Sequence, residues 1–509
     1  MTPTPSISPR RAGPQAPKRS LRSPRVPGPR HGLRGALACA LATLLAACAA
    51  LAPPHVRPDV ALAPAWDDAA PSAGANAAAT SWRDYFADPR SRALVEQALA
   101  NSQDMRAAAL RVDEARAGYR IERANALPTL AAQAGVTRSR TPADLSLVGK
   151  ALVYDDFQVG LGVASWEIDF WGRLHNLRDA ALENFLASDE TRRAFMLSLI
   201  AQVVEADLAL RELDERLALA RRSVASRQES LRIFTRRVAV GSTARLNLTE
   251  VQTLLTQAQA LAAQLEQARA LQLHALTLLV GAPLALAPSP LPAAAGDVDA
   301  AFPVLAAGLP SDLLRQRPDI AAAEHKLRAA DADIGAARAA FFPRVALTAS
   351  FGSASTEFSG LFAAGSQAWS LAPGVTLPLL DGGRLRGNLE LARVRRELAV
   401  ASYRGTVQAA FRDAADALSS TRWLAEQLAL ADTALATSTE RARLARLRYD
   451  NGAAAFLDVL DAQRDLLATE QQQVQARHAL LRGRVGLYTA LGGGSLALAP
   501  AAAAAPTPP

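Results

Sequence analysis

The chain has 509 residues, half of them apolar, with 5% aromatics and a formal charge of +8. That much apolar material supports a large ordered structure, and the shortage of aromatics suits close-packed helices better than a thick globular core. The charge would suggest nucleic acid, but eight basic residues between Arg10 and Arg34, with no acid among residues 1–34, account for all of it, so no nucleic acid is expected as a partner.

Residues 1–47 have the layout of a secretion leader: a basic stretch to Arg34, then the uncharged apolar run 35–47, GALACALATLLAA. Thirteen residues are too few to span a bilayer, which takes about 20. The run ends in Leu45-Ala46-Ala47-Cys48, which resembles the bacterial lipobox, in which the cysteine becomes the lipidated first residue. The expected N-terminal group is a diacylglycerol and an acyl chain on Cys48; ordinary cleavage after a small residue is the alternative. Ala49 follows, where an aspartate would resemble an inner-membrane retention signal, so the outer membrane is the expected address. The basic stretch is unusually long, which leaves the true translation start open. Cys39 lies inside the leader, so disulfides, cysteine zinc sites and a cysteine nucleophile are excluded for the mature chain.

Residues 48–80 read as an extended arm, kept out of a helix by prolines. Helical signal begins at Ser81 or Asp88-Pro89 and stops at Leu127-Pro128. Residues 129–139 and 154–169 then change period. Phe157, Val159, Leu161, Val163 and Ser165 alternate with Gln158, Gly160, Gly162, Ala164 and Trp166, which predicts a strand with one apolar face. From Arg173 to about Arg236 no proline occurs, and Leu199, Val203, Ala206, Leu210, Leu213, Leu217, Ala220 and Val224 form a heptad seam. Those residues predict a rod of roughly 96 Å. Gly241 ends it at a turn, and a shorter helix follows at about 244–280.

The whole unit is then written again. DFWGRLHN from Asp169 matches LDGGRLRG from Leu380, and the same offset of 211 carries Gly241 to Gly452, Leu246 to Leu457 and Gln252 to Gln463. The second copy has strands in 345–352 and 370–379, a proline-free rod from Arg384 to Arg448 and a last helix at about 455–490. The expected organisation is leader 1–47, lipidated arm 48–80, first repeat 81–281, Pro/Ala-rich linker 282–308, second repeat 309–491 and a disordered tail 492–509.

Each strand is about the length of a tilted membrane β-strand, and one chain offers four. Unpaired backbone groups at a sheet edge cost several kcal/mol each in lipid, and membrane barrels start at about eight strands. Several chains must therefore share one barrel. The predicted fold class is mainly α with a membrane β-barrel portion, continued by a helical coiled-coil barrel and built from an internal duplication.

LPSDLLRQRPDIAAAE at 309–324 resembles the LPSDLLRRRPDI signature of the TolC-like outer-membrane efflux factors, in their lipoprotein branch. SWRDYFADP at 81–89, DADIGAARAAFFP at 331–343 and DGGRLRGNLE at 381–390 support it, and the likeness covers nearly the whole mature chain. The resemblance implies a homotrimer whose strands close a twelve-stranded barrel in outer-membrane lipid, with a long helical barrel reaching through the periplasm. It further implies docking on a periplasmic adaptor (membrane fusion protein) and an inner-membrane pump of the resistance-nodulation-division type. The implied function is passive conduction of the pump's substrates to the exterior. A lipidated periplasmic coiled-coil adaptor is the alternative. Read by itself, the signature segment is a structural elbow: Pro310 with Ser311-Asp312 opens one short helix, and Arg317-Pro318-Asp319 ends it and opens the next.

Tyr449 to Asp461, after the second rod, resembles the periplasmic tip of the family. Asp458 and Asp461 are three residues apart, hence on one helical face, and would form carboxylate rings in a trimer, a pore gate favouring cations. Their other reading is as first-turn acids that stabilise a helix start. Tyr449 matches a tyrosine of the family's gate network, whereas the family's tip arginine is Ala454 here. The corresponding places in the first copy are Asn247 and Glu250. No cofactor, metal site or catalytic residue is expected: His31, His55, His175, His274, His325 and His478 are scattered without metal-ligand spacing, and no nucleophile motif occurs.

Overall fold

The computed structural model describes residues 51–61, 66, 74–291 and 302–496. The leader and Cys48 lie outside the described residues.

Strand β1 (Ala75–Asn76) precedes three helices, α1 (Trp82–Tyr85), α2 (Pro89–Asn101) and α3 (Gln103–Asn125). The single helix expected from residue 81 is thus broken twice, each time at a cap. Ser81 accepts from the Asp84 amide, Asp88 accepts from Ser91 with Pro89 at the first helical position, and Ser102 accepts from Met105. Strands β2 (Leu130–Thr141) and β3 (Leu152–Ile168) lead into α4 (Arg173–Ala239) and α5 (Arg245–Val280). After β4 (Leu305–Ala306) the second copy runs α6 (Leu313–Gln316), α7 (Pro318–Ala339), β5 (Arg344–Ser355), β6 (Gln367–Thr376), α8 (Arg384–Asp450) and α9 (Phe456–Ala490).

The duplication is visible in the backbone. Both rods, α4 and α8, have 67 residues, about 100 Å each. Each opens on a left-handed glycine, Gly172 (φ 70°) or Gly383 (φ 88°), and each is followed by a glycine at φ 71°, Gly241 or Gly452. Glycine is the residue that adopts this conformation without a Cβ penalty. The heptad seam of α4 is buried at Leu199, Val203, Leu210, Leu217 and Ala220 and half-buried at Leu213 and Val224. Along α4, α3 and α7 pack on the upper half, α5 and α9 on the lower.

The four long strands make one antiparallel sheet in the order β2-β3-β5-β6. Ala132, Leu161, Phe351 and Trp369 form one cross-strand row, and Gln133, Gly160, Gly352 and Ala368 form the next. One face is apolar and the other small and polar. One residue departs from the expected alternation. A β-bulge between Val163 and Trp166, with Ser165 at φ 53°, inserts an extra residue, so Trp166 pairs with Leu347 and joins the apolar face assigned to Ser165. The Ser165 amide donates to the Thr348 hydroxyl, and the Trp166 indole donates to the Ala126 carbonyl at 3.1 Å.

Where the two copies join, a belt wraps the helices. β1 and β4 pair in parallel, and Tyr85, Phe86, Phe302 and Tyr488 cluster beneath them, with Tyr85 stacked on Tyr488 at 4.5 Å. Both hydroxyls are satisfied, Tyr85 donating to the Arg484 carbonyl and Tyr488 to that of Thr80, each at 2.9 Å. Two expected boundaries move here. The tail expected to be disordered from 492 keeps its first five residues in the belt: the amides of Gly494 and Leu496 donate to Ala77 and Ala78. The linker expected over 282–308 docks through 282–291, with Leu291 buried and the Ser289 amide on the Asp214 carboxylate. These apolar residues carry no period because they fill gaps between helices rather than form one.

Candidate functional site

The far ends of the rods converge on a small core of Phe234, Val251 and Leu460, with Leu231, Leu248, Leu254 and Phe456 packed on it. The second rod closes through the left-handed Gly452. Its amide donates to Tyr449, the Ala453 amide to Arg448 at 2.8 Å and the Asn451 side chain to Leu447, so the last carbonyls are satisfied.

Tyr449 sits inside this tip. Its ring meets Phe456 edge-on at 4.9 Å, and Phe456 meets Phe234 at 4.5 Å. Its hydroxyl accepts from the Arg237 guanidinium at 2.5 Å. Arg237 escaped the sequence reading. Its one signal was the repeat offset, which pairs it with Arg448; the two do different work, since Arg448 donates to the Ala453 carbonyl of its own turn.

Asp458 and Asp461 lie in and just past the first turn of α9 and face one cleft of about 900 Å³, shared with Arg441, Arg448 and Ala454. The Asp458 carboxylate is exposed, while Asp461 is half-buried and 3.3 Å from Arg464. The start of α9, at Ala455, has no side-chain cap, so neither acid bonds the free amides. What remains of the capping reading is attraction to the helix dipole. In the first copy Asn247 donates to Thr243, a local bond with no counterpart at Asp458.

The signature segment builds the elbow the sequence suggested. Pro310–Asp312 is a 3₁₀ turn, and the Asp312 carboxylate accepts from Leu309 at 3.1 Å. Arg317, extended before Pro318, pairs with Asp319 and donates to the carbonyls of Ala490 (3.0 Å) and Ala410 (3.5 Å). One guanidinium thus joins the start of α7 to α8 and to the end of α9. Among the described residues, no three His, Cys, Asp or Glu side chains group closely enough to hold a metal ion.

The sequence matches the family model of the outer membrane efflux proteins over residues 94–282 and 309–493, one stretch per repeat. It is 41% identical over 461 residues to outer membrane protein OprJ of Pseudomonas aeruginosa, covering 90% of this chain and 96% of that one. It is 40% identical over 468 residues to the toluene efflux pump outer membrane protein TtgF of Pseudomonas putida, again 90% and 96%. Among solved structures, the fold is similar to a membrane protein from Pseudomonas aeruginosa (TM-score 0.80, 40% identity, 87% of this chain and 100% of that one). It is also similar to the open state of the MtrE outer membrane channel of Neisseria gonorrhoeae (TM-score 0.78, 36% identity, 87% and 98%). With both repeats matched and these relatives covered almost end to end, the chain belongs to the outer membrane efflux protein family and is an outer-membrane channel subunit of an efflux pump.

Proposed function

We propose that three copies form one duct, a conduit rather than an enzyme, in which β2 of each copy pairs with β6 of the next. The observation that carries this reading is the four-stranded sheet with two bare edges, β2 and β6. Its apolar face, with Leu161, Phe351, Trp369, Leu371 and Val375 exposed, suits lipid, and lipid forbids bare edges. Two copies would make eight strands, a barrel that side chains fill; three make twelve and leave a lumen. The small side chains of the opposite face, Gly160, Gly352, Ser350 and Ser370, keep that lumen open. The helices support the same closure: α5 leaves Leu271 and Leu278 exposed one heptad apart, and α8 leaves Trp423 and Leu430.

In this duct Asp458, Asp461 and Tyr449 form the gate at the periplasmic tip, without the arginine that Ala454 replaces. The partners are a periplasmic adaptor at the tip and an inner-membrane pump of the resistance-nodulation-division type. That pump selects the cargo and supplies the energy. Cys48 carries the lipid anchor, and a Cys48→Ser chain would lack the mass of the diacylglycerol and acyl groups in intact-protein mass spectrometry. The adaptor reading fares worse, since an adaptor needs one helical hairpin between compact β-domains and this chain has two hairpins under a membrane-type sheet. The test is purification from the outer-membrane fraction. A trimer that resists mild SDS and gives discrete ionic steps in planar bilayers is expected; a monomeric, ion-tight protein would end the reading.

A further inference from the structure

We propose that the outer mouth carries an apolar clasp between copies: the β2–β3 loop of one copy closes on the β5–β6 loop of its neighbour. The inference rests on the β2–β6 seam proposed above. Strand β2 ends at the outer rim with Thr141, and β6 begins there with Gln367, because the two run in opposite directions through one sheet. Pairing β2 with the next copy's β6 therefore sets residues 142–151 beside residues 356–366 of that copy.

Both loops are shaped by their own hydrogen bonds. In the first, Leu145 and Ser146 donate to the Pro142 carbonyl and Gly149, at φ 67°, donates to Ser146. This turn holds Leu147 wholly out of contact with its own chain, flanked by the exposed Leu145 and Val148. In the second, Leu361 is the buried pivot. The Ser353 hydroxyl donates to its carbonyl, and the Ser366 hydroxyl lies within hydrogen-bond reach of the carbonyls of both Leu361 and Ala363. Around that pivot Phe358 and Phe362 are 72% and 80% exposed.

Apolar side chains held outward by a built loop, rather than left loose, mark a contact surface. A second copy fits it because the seam already brings the loops together, so the contact needs no new docking geometry. The clasp covers the outer end of each seam, the end that faces the medium.

The test uses the full chain, whose own cysteines are Cys39 and Cys48, with the unmodified chain oxidised alongside as the control. Leu147→Cys and Phe362→Cys are made singly and together, and outer membranes are oxidised with copper phenanthroline. The double variant is expected to shift most of the protein to covalent dimers and trimers on boiled, non-reducing gels, and each single variant to stay monomeric. A double variant that keeps its mild-SDS trimer without cross-linking would overturn the clasp and spare the seam, as when lipid chains cover the loops. Cross-linking by Leu147→Cys alone would also overturn it, since the loops would then meet on the trimer axis. Loss of the mild-SDS trimer from the unmodified chain would instead sink the seam itself.

Discussion

The Tyr449 hydroxyl accepts a 2.5 Å hydrogen bond from Arg237, so the end of one rod is tied to the end of its duplicate. The bond is exposed, whereas the ring beneath it is packed on Phe456. The two contributions are separable. The aromatic contact shapes the tip, and the hydrogen bond holds the second hairpin against the first.

Tyr449→Phe keeps the ring and removes the bond. An exposed bond to a charged group contributes about 1 kcal/mol, which shifts a closed-to-open ratio by about fivefold. The variant is expected to raise the open fraction in planar bilayers, and Arg237→Ala to raise it at least as much, since it also removes the guanidinium from over the Phe234 and Tyr449 rings. Asp458→Ala with Asp461→Ala is expected to widen the closed tip and weaken cation preference. Unchanged conductance and selectivity in the double alanine variant would leave the acids with the dipole role alone.

A second prediction concerns the sheet. Gly160 and Gly352 face each other across β3 and β5, and a Cβ on either would overlap the partner strand's backbone. Neither has a positive φ, so close approach is the reason for glycine here. Gly352→Val is expected to cost about 2–3 kcal/mol through overpacking and to deplete the mild-SDS trimer. A stable trimer in Gly352→Val would show that the strands can part without loss.

Much of this architecture was legible because it is periodic or repeated. The offset that links Gly241 to Gly452 is the one at which both rods turn, and the period of two in 157–163 is the apolar face of β3. Non-periodic contacts were not legible. The bulge at Ser165 is decided by the Thr348 hydroxyl across the sheet and by the helix end that Trp166 reaches. The docked tail depends on Ala77 and Ala78, more than 400 residues away in sequence. At the tip, residue type pointed to Asp458, Asp461 and Tyr449, but nothing local marked Arg237 as the tyrosine's partner. That pairing exists because two separate rods end at the same height.

The lower half of the helical region should respond to pH through His478. This residue lies on α9 against α4, near Glu212 and Arg482. Burial pushes its imidazole below the ordinary value of 6.5; Glu212 opposes the shift and Arg482 adds to it. The neighbouring charges leave the balance unchanged: Glu212 is engaged by Arg216 at 2.8 Å, and Arg482 by Glu205 at 3.2 Å. The folded chain therefore holds His478 neutral where the unfolded chain has begun to protonate it. Between the folded value and 6.5 the unfolded state binds more protons, so stability falls as pH falls through that window and levels off below it. His478→Gln removes this dependence. The helical melting temperature in detergent, compared between pH 7.5 and 5.5, is expected to fall further in the unmodified chain than in the variant, by up to about one degree. A gap between the two that is the same at both pH values would mean that His478 is protonated alike in the folded and unfolded chain, and that its burial between α4 and α9 carries no charge penalty.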